Sequence, residues 1–545
     1  MADMRWTPGQ EDAIQARNGT VLVAAAAGSG KTAVLVQRAI ERLTDPEHPA
    51  PADRLLIVTF TKAAAAEMRA RLEKRLYELL RQSPQDPLLR RQSILLSQAH
   101  IGTVDSFCAE MAREFFHLLD IAPDFKIVSD KQEEELMDAA LLEAVSAAFE
   151  SGAIAPLADA FSGERDDRRL MNMVRTLYRY TQSHPFPERW LEEKAALYRS
   201  GDAAPWERVI LEYAKETAEY GVRLLTAALE AAAADPKLEE AFAPAMRQDR
   251  EACQALAALA AAGDWDGARE AQQGFSLCRR GGRFTAEEKE DPLFQRLESC
   301  RQEVKKALGD LGGCLAVTRE AGRQELLAAA PLVEGLKDLT LDFARRYAEK
   351  KRDRGLLDYS DLEHCAIRLF CGEDGAPTPT AREVSARFEE IMIDEYQDIN
   401  QVQDLLFRAV SKNGENLFMV GDVKQSIYGF RQAMPEIFLR CRESYPLYDR
   451  QRDRYPASIV LDRNFRSRKQ VVDTVNFVFS RLMSKAAGDI DYTGAERLVC
   501  AAGYQDKPGC ETELQLIQRE SGVPAETAEA AYLARRIREL VEGGP

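Results

Sequence analysis

The sequence predicts an α/β fold. A parallel sheet carries a phosphate-binding loop, is interrupted by a long all-α insertion, and is followed by the beginning of a second α/β unit. Three observations predict it. A buried-strand run, a glycine-rich turn with a lysine and a helical run follow one another over residues 20–43. Residues 108–380 have helical spacing and no strand alternation. Short apolar runs alternating with helical segments return from residue 388 onward.

The elements fall in order. TVLVAAA at 20–26 is an apolar run ending in small residues, GSGKT follows, and AVLVQRAIERL has helical periodicity. RLLIVTF at 54–60 reads as a second buried strand, and KAAAAEMRARLEKRLYELL after it is built of good helix formers. Residues 99–104 read as a third, short strand. Helices are expected at 130–150, 205–232, 236–262, 284–309 and 321–349, with breaks at 151–165, 182–188, 201–206 and 280–283. FEEIMID (388–394) and NLFMVG (416–421) return to strands. SIVLD (458–462) begins a further strand and RKQVVDTVNFVFSRLM an amphipathic helix; TELQLI (512–517) is strand-like and residues 525–543 form a helix with an apolar stripe. The expected division is a sheet domain of residues 1–107 plus 381–450, a helical insertion of 108–380, and an incomplete second domain of 451–545.

Composition sets limits. The 545 residues carry a formal net charge of −16, which by itself argues against a nucleic-acid coat protein or a polybasic membrane binder. No window of about 18 apolar residues predicts a membrane span. The ten cysteines are scattered without a CxxC pair, as in reduced cytosolic proteins, and His364, Cys365 and Cys371 match no standard metal spacing.

Two segments carry chemistry. Ala24–Thr32 reads AAAAGSGKT. A triphosphate needs many donors near its oxygens. The backbone of Ala27, Gly28, Ser29 and Gly30 can turn its N–H groups inward, and the helix N-terminus adds a favourable dipole. Lys31 supplies a cation for the β- and γ-phosphates, and the Thr32 hydroxyl is placed to ligate Mg²⁺. The strict pattern wants glycine where this chain has Ala25. The acidic partner is Ile393-Asp394-Glu395-Tyr396-Gln397-Asp398: Asp394 suits the Mg²⁺ shell, and Glu395 could orient or deprotonate an attacking water. ATP and Mg²⁺ are the expected cofactors.

With these residues the chain resembles the superfamily 1A DNA helicases of the UvrD/Rep/RecB type, and within them it is most similar to the AddA type of bacterial helicase–nuclease. Seven motifs, and one further element before motif II, match in order over residues 6–467. Thr7-Pro8-Gly9-Gln10 resembles the glutamine motif that reads adenine. Ala24–Thr32 is motif I, and Thr59–Ala63 through Glu67-Met68 is motif Ia. Thr103-Val104-Asp105-Ser106-Phe107-Cys108 resembles the next DNA-contact motif, with Asp105 where many relatives have His. Leu357–Leu362 resembles the LDFxDL element, and Ile393–Asp398 is motif II. Val420–Arg431 is motif III, and Asn464-Phe465-Arg466-Ser467 is motif IV. Phe115-Phe116-His117-Leu118-Leu119 and the long insertion favour the AddA type over the simpler UvrD type.

The resemblance implies P-loop NTPase domains of RecA-like fold and a set of roles. Gln10 reads the base, and Phe465 stacks on adenine where relatives often have Tyr. Lys31, Asp394 and Glu395 act on the phosphates, Gln425 senses the γ-phosphate, and Arg466 stabilises transition-state charge. Phe60, Thr61, Lys62, Thr103, Ser106, Tyr428, Phe430 and Arg431 meet DNA, the aromatics by stacking on bases. Lys62 reads equally as a solvated charge at a helix start, and Tyr428 and Phe430 as aromatics packing a turn. The implied activity is ATP-driven 3′→5′ DNA translocation and unwinding in double-strand-break repair and recombination, in the bacterial cytoplasm at the nucleoid. The implied partners are single-stranded or duplex-end DNA and a partner chain of the AddB type; no membrane is implied. A UvrD/Rep-type helicase without nuclease and a non-catalytic partner-binding scaffold are the competing readings. Motifs V and VI and a nuclease domain do not appear, so the chain is expected to be an N-terminal fragment that binds ATP and DNA without unwinding. Exonuclease activity is expected only beyond it.

Overall fold

Six of the apolar runs form one parallel sheet: β1 (Val21–Ala25), β2 (Leu55–Thr59), β3 (His100–Thr103), β4 (Glu390–Ile393), β5 (Leu417–Gly421) and β6 (Ala457–Leu461). Their order is β3-β2-β4-β5-β1-β6. The computed structural model describes residues 5–152, 155–161, 167–488, 490–494, 496–505, 511–518 and 522–542. Parallel strands are covered on both faces, so they read as unbroken apolar runs. Val21, Val23, Ile57, Met392, Phe418 and Val420 lie in one core. Val23 stands opposite Val420 on one side and Ile459 on the other, and Val58 opposite Ile393.

The helices beside the sheet start where their caps dictate. Thr7 and Gln10 cap α1 (Pro8–Gln15) reciprocally, side chain to backbone in both directions. α2 (Lys31–Leu43) starts on the glycine-rich turn, and the Thr61 hydroxyl caps α3 (Lys62–Gln82) by accepting from Ala64 N. Thr103 caps α4 (Val104–Glu114), and Asp358 caps α5 (Tyr359–Phe370).

The chain divides into two units. One comprises Met1–Glu134, Gln182–Pro185 and Lys350–Pro545; the other comprises Glu135–Thr181 and Phe186–Glu349. The helical insertion is therefore narrower than the expected 108–380. α4 and α5 pack on each other within the sheet unit, burying Cys108, Ala112, Leu362 and Ala366. Phe107 of α4 meets Phe388 just before β4, with ring centroids 6.1 Å apart. Helical spacing reveals a helix but not the core it joins.

The expected boundary at residue 451 also moves. β6 does not open a second sheet; it completes the first as the neighbour of β1. TELQLI is not a strand: Leu514 and Leu516 are 86% and 89% exposed. An apolar run becomes a strand only where a neighbour takes its backbone groups. The predicted helix 284–309 breaks in two, because Asp291 and Pro292 start a new helix, Pro292–Asp310.

The second unit is all-helical. Ala204–Ala232, Pro236–Ala261 and Pro292–Asp310 share a core of Ala214, Leu225, Phe242, Met246, Leu297 and Val304. Inside it Arg301 makes two hydrogen bonds, of 2.9 and 2.8 Å, to Asp249 Oδ2. Among the described residues no single helix is long and apolar enough to cross a membrane.

One buried acid sets a pH dependence. Burial pushes the Glu363 carboxyl on α5 up from 4.5 to about 7, against the hydrogen bond it accepts from Gln403 Nε2 at 2.6 Å. A folded-state pKa above the unfolded one gives a contribution fully present below pH 4.5 and lost as pH rises through about 7. Glu363→Gln is therefore expected to stabilise the chain at pH 8 by on the order of 2 kcal/mol and to flatten its stability–pH profile. Urea unfolding at pH 6 and pH 8 checks this; identical profiles for variant and wild type would contradict it.

Candidate functional site

The carboxyl ends of β1, β4 and β5 are adjacent, and each ends in a segment singled out by the sequence. Ligands of open parallel sheets bind in this position. After β1, Gly28 and Gly30 take left-handed conformations, with φ of +70° and +84°. A Cβ on Gly28 would fall 2.8 Å from Asn464 Nδ2 and 3.0 Å from Arg466 Cβ, so the loop has no room for a side chain. Gln10 is buried and donates from Nε2 to the Ser29 carbonyl at 2.9 Å, tying α1 to the loop.

Asn464 is a site residue to which the sequence assigned no role. Its Nδ2 donates to the Ala27 carbonyl at 2.8 Å, and its Oδ1 accepts from the backbone of Arg466 and Ser467 at 2.9 and 2.7 Å. Phe465 N donates to the Gly28 carbonyl at 2.9 Å. The segment Asn464–Ser467 therefore lies directly on the phosphate loop, with Phe465 and Arg466 exposed beside it. Asn at the head of a turn, bonding to the backbone two and three residues on, was the available signal.

At the end of β4, Glu395 has φ +52°, a left-handed conformation that costs a non-glycine residue about 1 kcal/mol. That turn brings both Asp394 and Glu395 to one cleft. Lys31 Nζ is ion-paired with Glu395 Oε2 at 2.8 Å. Burial, and Glu395 beside it, push the Asp394 carboxyl up to about 6, although Lys31 opposes this. Burial likewise raises Asp398 to about 6.

Gln397, fully buried, joins this group to β5. Its Nε2 donates to Glu395 Oε2 at 3.0 Å and to Asp398 Oδ2 at 2.8 Å, and its Oε1 accepts from Asp422 N at 2.9 Å. A Cβ at Gly421 would meet that oxygen at 2.5 Å, which explains the glycine at the end of β5. Asp422 Oδ2 in turn accepts from Gln425 Nε2 at 2.7 Å. A polar relay thus runs from Lys31 to Gln425.

The cleft has a volume of about 340 Å³. Thr32, Asp394, Glu395 and Gln425 line it together with Phe60, Thr61 and Tyr428. Phe60 and Tyr428 have ring centroids 4.5 Å apart, and Tyr428 and Phe430 5.6 Å apart. Phe430 is 74% exposed, whereas Phe60 and Tyr428 are half-buried and tilted 40° to each other. Lys62 is exposed at the start of α3. The Arg431 side chain lies outside the described residues. Thr103 and Ser106 lie elsewhere, along a separate depression beside β3: Ser106 N donates to Thr103 Oγ1, and Ser106 Oγ donates to the Thr103 carbonyl at 2.7 Å. His364 is half-buried and its Nε2 donates to the Gln182 carbonyl at 3.2 Å; burial lowers its pKa to about 4.

These residues fit a magnesium-bound nucleoside triphosphate. The left-handed glycines turn the loop into the N-terminus of α2, where Lys31 stands, the place at which a polyphosphate is favoured. Thr32 and Asp394 offer two hard oxygens in one cleft, beside a second carboxylate, as Mg²⁺ requires.

Strand, glycine loop and acid after β4 are the parts of a P-loop NTPase fold. The family model described as the UvrD/REP helicase N-terminal domain matches residues 6–259 and 316–446, and the chain belongs to this family. It is similar to an ATP-dependent helicase/nuclease subunit from Moorella thermoacetica, 38% identical over 541 residues that cover 95% of this chain and 38% of that protein. The protein of the same name from Desulforudis audaxviator is 38% identical, with 97% and 44% covered, and that from Geobacillus kaustophilus is 35% identical, with 99% and 45% covered. The chain spans less than half the length of these relatives. The resemblance carried by the motifs and the α/β fold class are both borne out.

Proposed function

We propose that the protein is an ATP-dependent DNA helicase and translocase with 3′→5′ polarity. In this reading it is the helicase subunit of a bacterial two-subunit helicase–nuclease in double-strand-break repair and recombination. It acts in the cytoplasm on single-stranded DNA or duplex ends beside an AddB-type partner. The observation that carries the reading is the shared cleft, in which Thr32, Asp394 and Gln425 stand beside Phe60 and Tyr428. A generic ATPase has no use for a row of rings next to its phosphate site.

The chain's own groups suggest the steps. Lys31 leaves Glu395 for the β- and γ-phosphates. Glu395, still held by Gln397, then accepts a proton from the attacking water. Thr32 and Asp394 hold Mg²⁺, which when bound neutralises charge on the phosphate oxygens. Arg466, on the phosphate loop, stabilises charge that develops in the transition state. Gln10 and Phe465 receive the base. Gln425 reads the terminal phosphate and passes its position to Tyr428, three residues on. Phe60, Tyr428 and Phe430 stack on bases, and Thr61, Lys62, Thr103, Ser106 and Arg431 meet the DNA backbone.

These 545 residues are expected to bind Mg·ATP and single-stranded DNA, to hydrolyse ATP slowly and not to unwind duplex. Nucleotide binding, oligonucleotide binding and DNA-stimulated hydrolysis, measured separately, check this. A chain that binds no nucleotide refutes the reading, and hydrolysis at the rate of an intact helicase refutes the division of labour.

A further inference from the structure

Two stretches distant in sequence meet on one ammonium group. Lys424 Nζ lies 2.9 Å from Asp422 Oδ1 and 2.9 Å from Glu496 Oε2. The two carboxylate side chains are only 1% and 6% exposed. Glu496 is also ion-paired to Arg442, on the helix Pro435–Ser444. Burial alone disfavours the charged form of Lys424, but Asp422 and Glu496 together raise its pKa above the ordinary lysine value. Burial likewise works against the Glu496 anion, yet Lys424 and Arg442 hold its carboxyl below the ordinary range. Removing Glu496 would take a carboxylate away from both Lys424 and Arg442.

The cluster acts on Gln425 through a single carboxylate. Asp422 gives one oxygen to Lys424 and the other to Gln425 Nε2, at 2.7 Å. The segment that supplies Glu496 also reaches the phosphate loop. Val499 and Cys500 pair in parallel with Arg463 and Asn464, and Ala501 N donates to the Asn464 carbonyl at 2.8 Å. Asn464 is the residue that holds Ala27. Residues 496–501 therefore touch both the segment that holds the phosphate loop and the side chain opposite it.

We propose that Glu496 is a positioning residue for Gln425: through Lys424 and Asp422 it fixes the amide that meets the terminal phosphate, so that the segment 496–501 couples the phosphate loop to that amide. This rests on the reading of Gln425 as the group that distinguishes a triphosphate from a diphosphate. Without Glu496 the ammonium has only Asp422, the geometry of that carboxylate relaxes, and Gln425 loses its fixed acceptor.

The test uses the whole 545-residue chain with Mg²⁺ and two fluorescent nucleotides, a non-hydrolysable ATP analogue and ADP. Wild type is expected to prefer the triphosphate, and Gln425→Ala to lose that preference. Glu496→Gln and Lys424→Met are each expected to weaken triphosphate binding about tenfold while ADP affinity stays within about twofold. The double variant is expected to be no worse than either single one, and Glu496→Asp, which keeps the charge, to recover part of the preference. If Gln425→Ala loses the preference and the Glu496 and Lys424 variants keep it, the positioning role is overturned and the functional reading stands. If those variants weaken both nucleotides alike, or both unfold, the cluster is only a structural staple and the proposal is overturned. A wild type that binds neither nucleotide, or both equally, overturns the phosphate-site reading and the positioning role with it.

Discussion

Lys31→Ala is expected to lower the affinity of the chain for Mg·ATP by roughly 100-fold or more. Two losses add. The ammonium that would meet the β- and γ-phosphates disappears, and charge-assisted hydrogen bonds are the strong ones. Glu395 also loses its 2.8 Å partner, so Asp394 and Glu395 face each other without a cation where Asp394 is already pushed up to about 6. The cleft then holds its acids less readily in the charged form that Mg²⁺ needs. Calorimetric titration checks the prediction, with single-stranded DNA affinity as the control that should stay within about twofold, since the rings do not use Lys31. Affinity near that of wild type would remove the phosphate-site assignment.

The second large effect belongs to the rings. Stacking a base on an aromatic ring contributes about 1–3 kcal/mol, and Phe60 and Tyr428 touch with centroids 4.5 Å apart. The double variant Phe60→Ala/Tyr428→Ala is expected to weaken single-stranded DNA binding by roughly 30-fold to more than 1000-fold. Because no phosphate contact is lost, the dependence of affinity on salt should keep its slope. Fluorescence anisotropy with an oligonucleotide at several salt concentrations gives both quantities. A changed slope with unchanged low-salt affinity would mean that these rings pack a turn and that other groups hold the strand.

Much of the site was legible because its chemistry is local. The Gly28–Thr32 loop, the acids after β4 and the rings of residues 428 and 430 are short words whose spacing carries their role. What the words could not give was the joinery. Gln397 reads as one more polar residue in an acidic turn, yet it connects Glu395 to Asp422 because β4 and β5 are neighbours in the sheet. Asn464 and Glu496 bind across hundreds and tens of residues, to Ala27 and Lys424, which no local pattern encodes. The same limit displaced both domain boundaries, since α4, α5 and β6 look in sequence like the elements that follow or precede them. The net charge is no guide for a related reason: a whole-chain sum of −16 does not describe any one surface.

The place of β6 decides where this polypeptide can be cut. β1 lies between β5 and β6 and is buried along nearly its whole length. A product ending at residue 446, the last residue matched by the family model, would lack β6 and leave the backbone groups of Val21–Ala25 unpaired along one side. An apolar edge of that kind invites pairing with another chain. It would also strip the phosphate loop of the wall made by Asn464 and Phe465. The smallest piece that keeps all six strands and the support of the loop must run through Ala501, whose backbone holds Asn464 in turn.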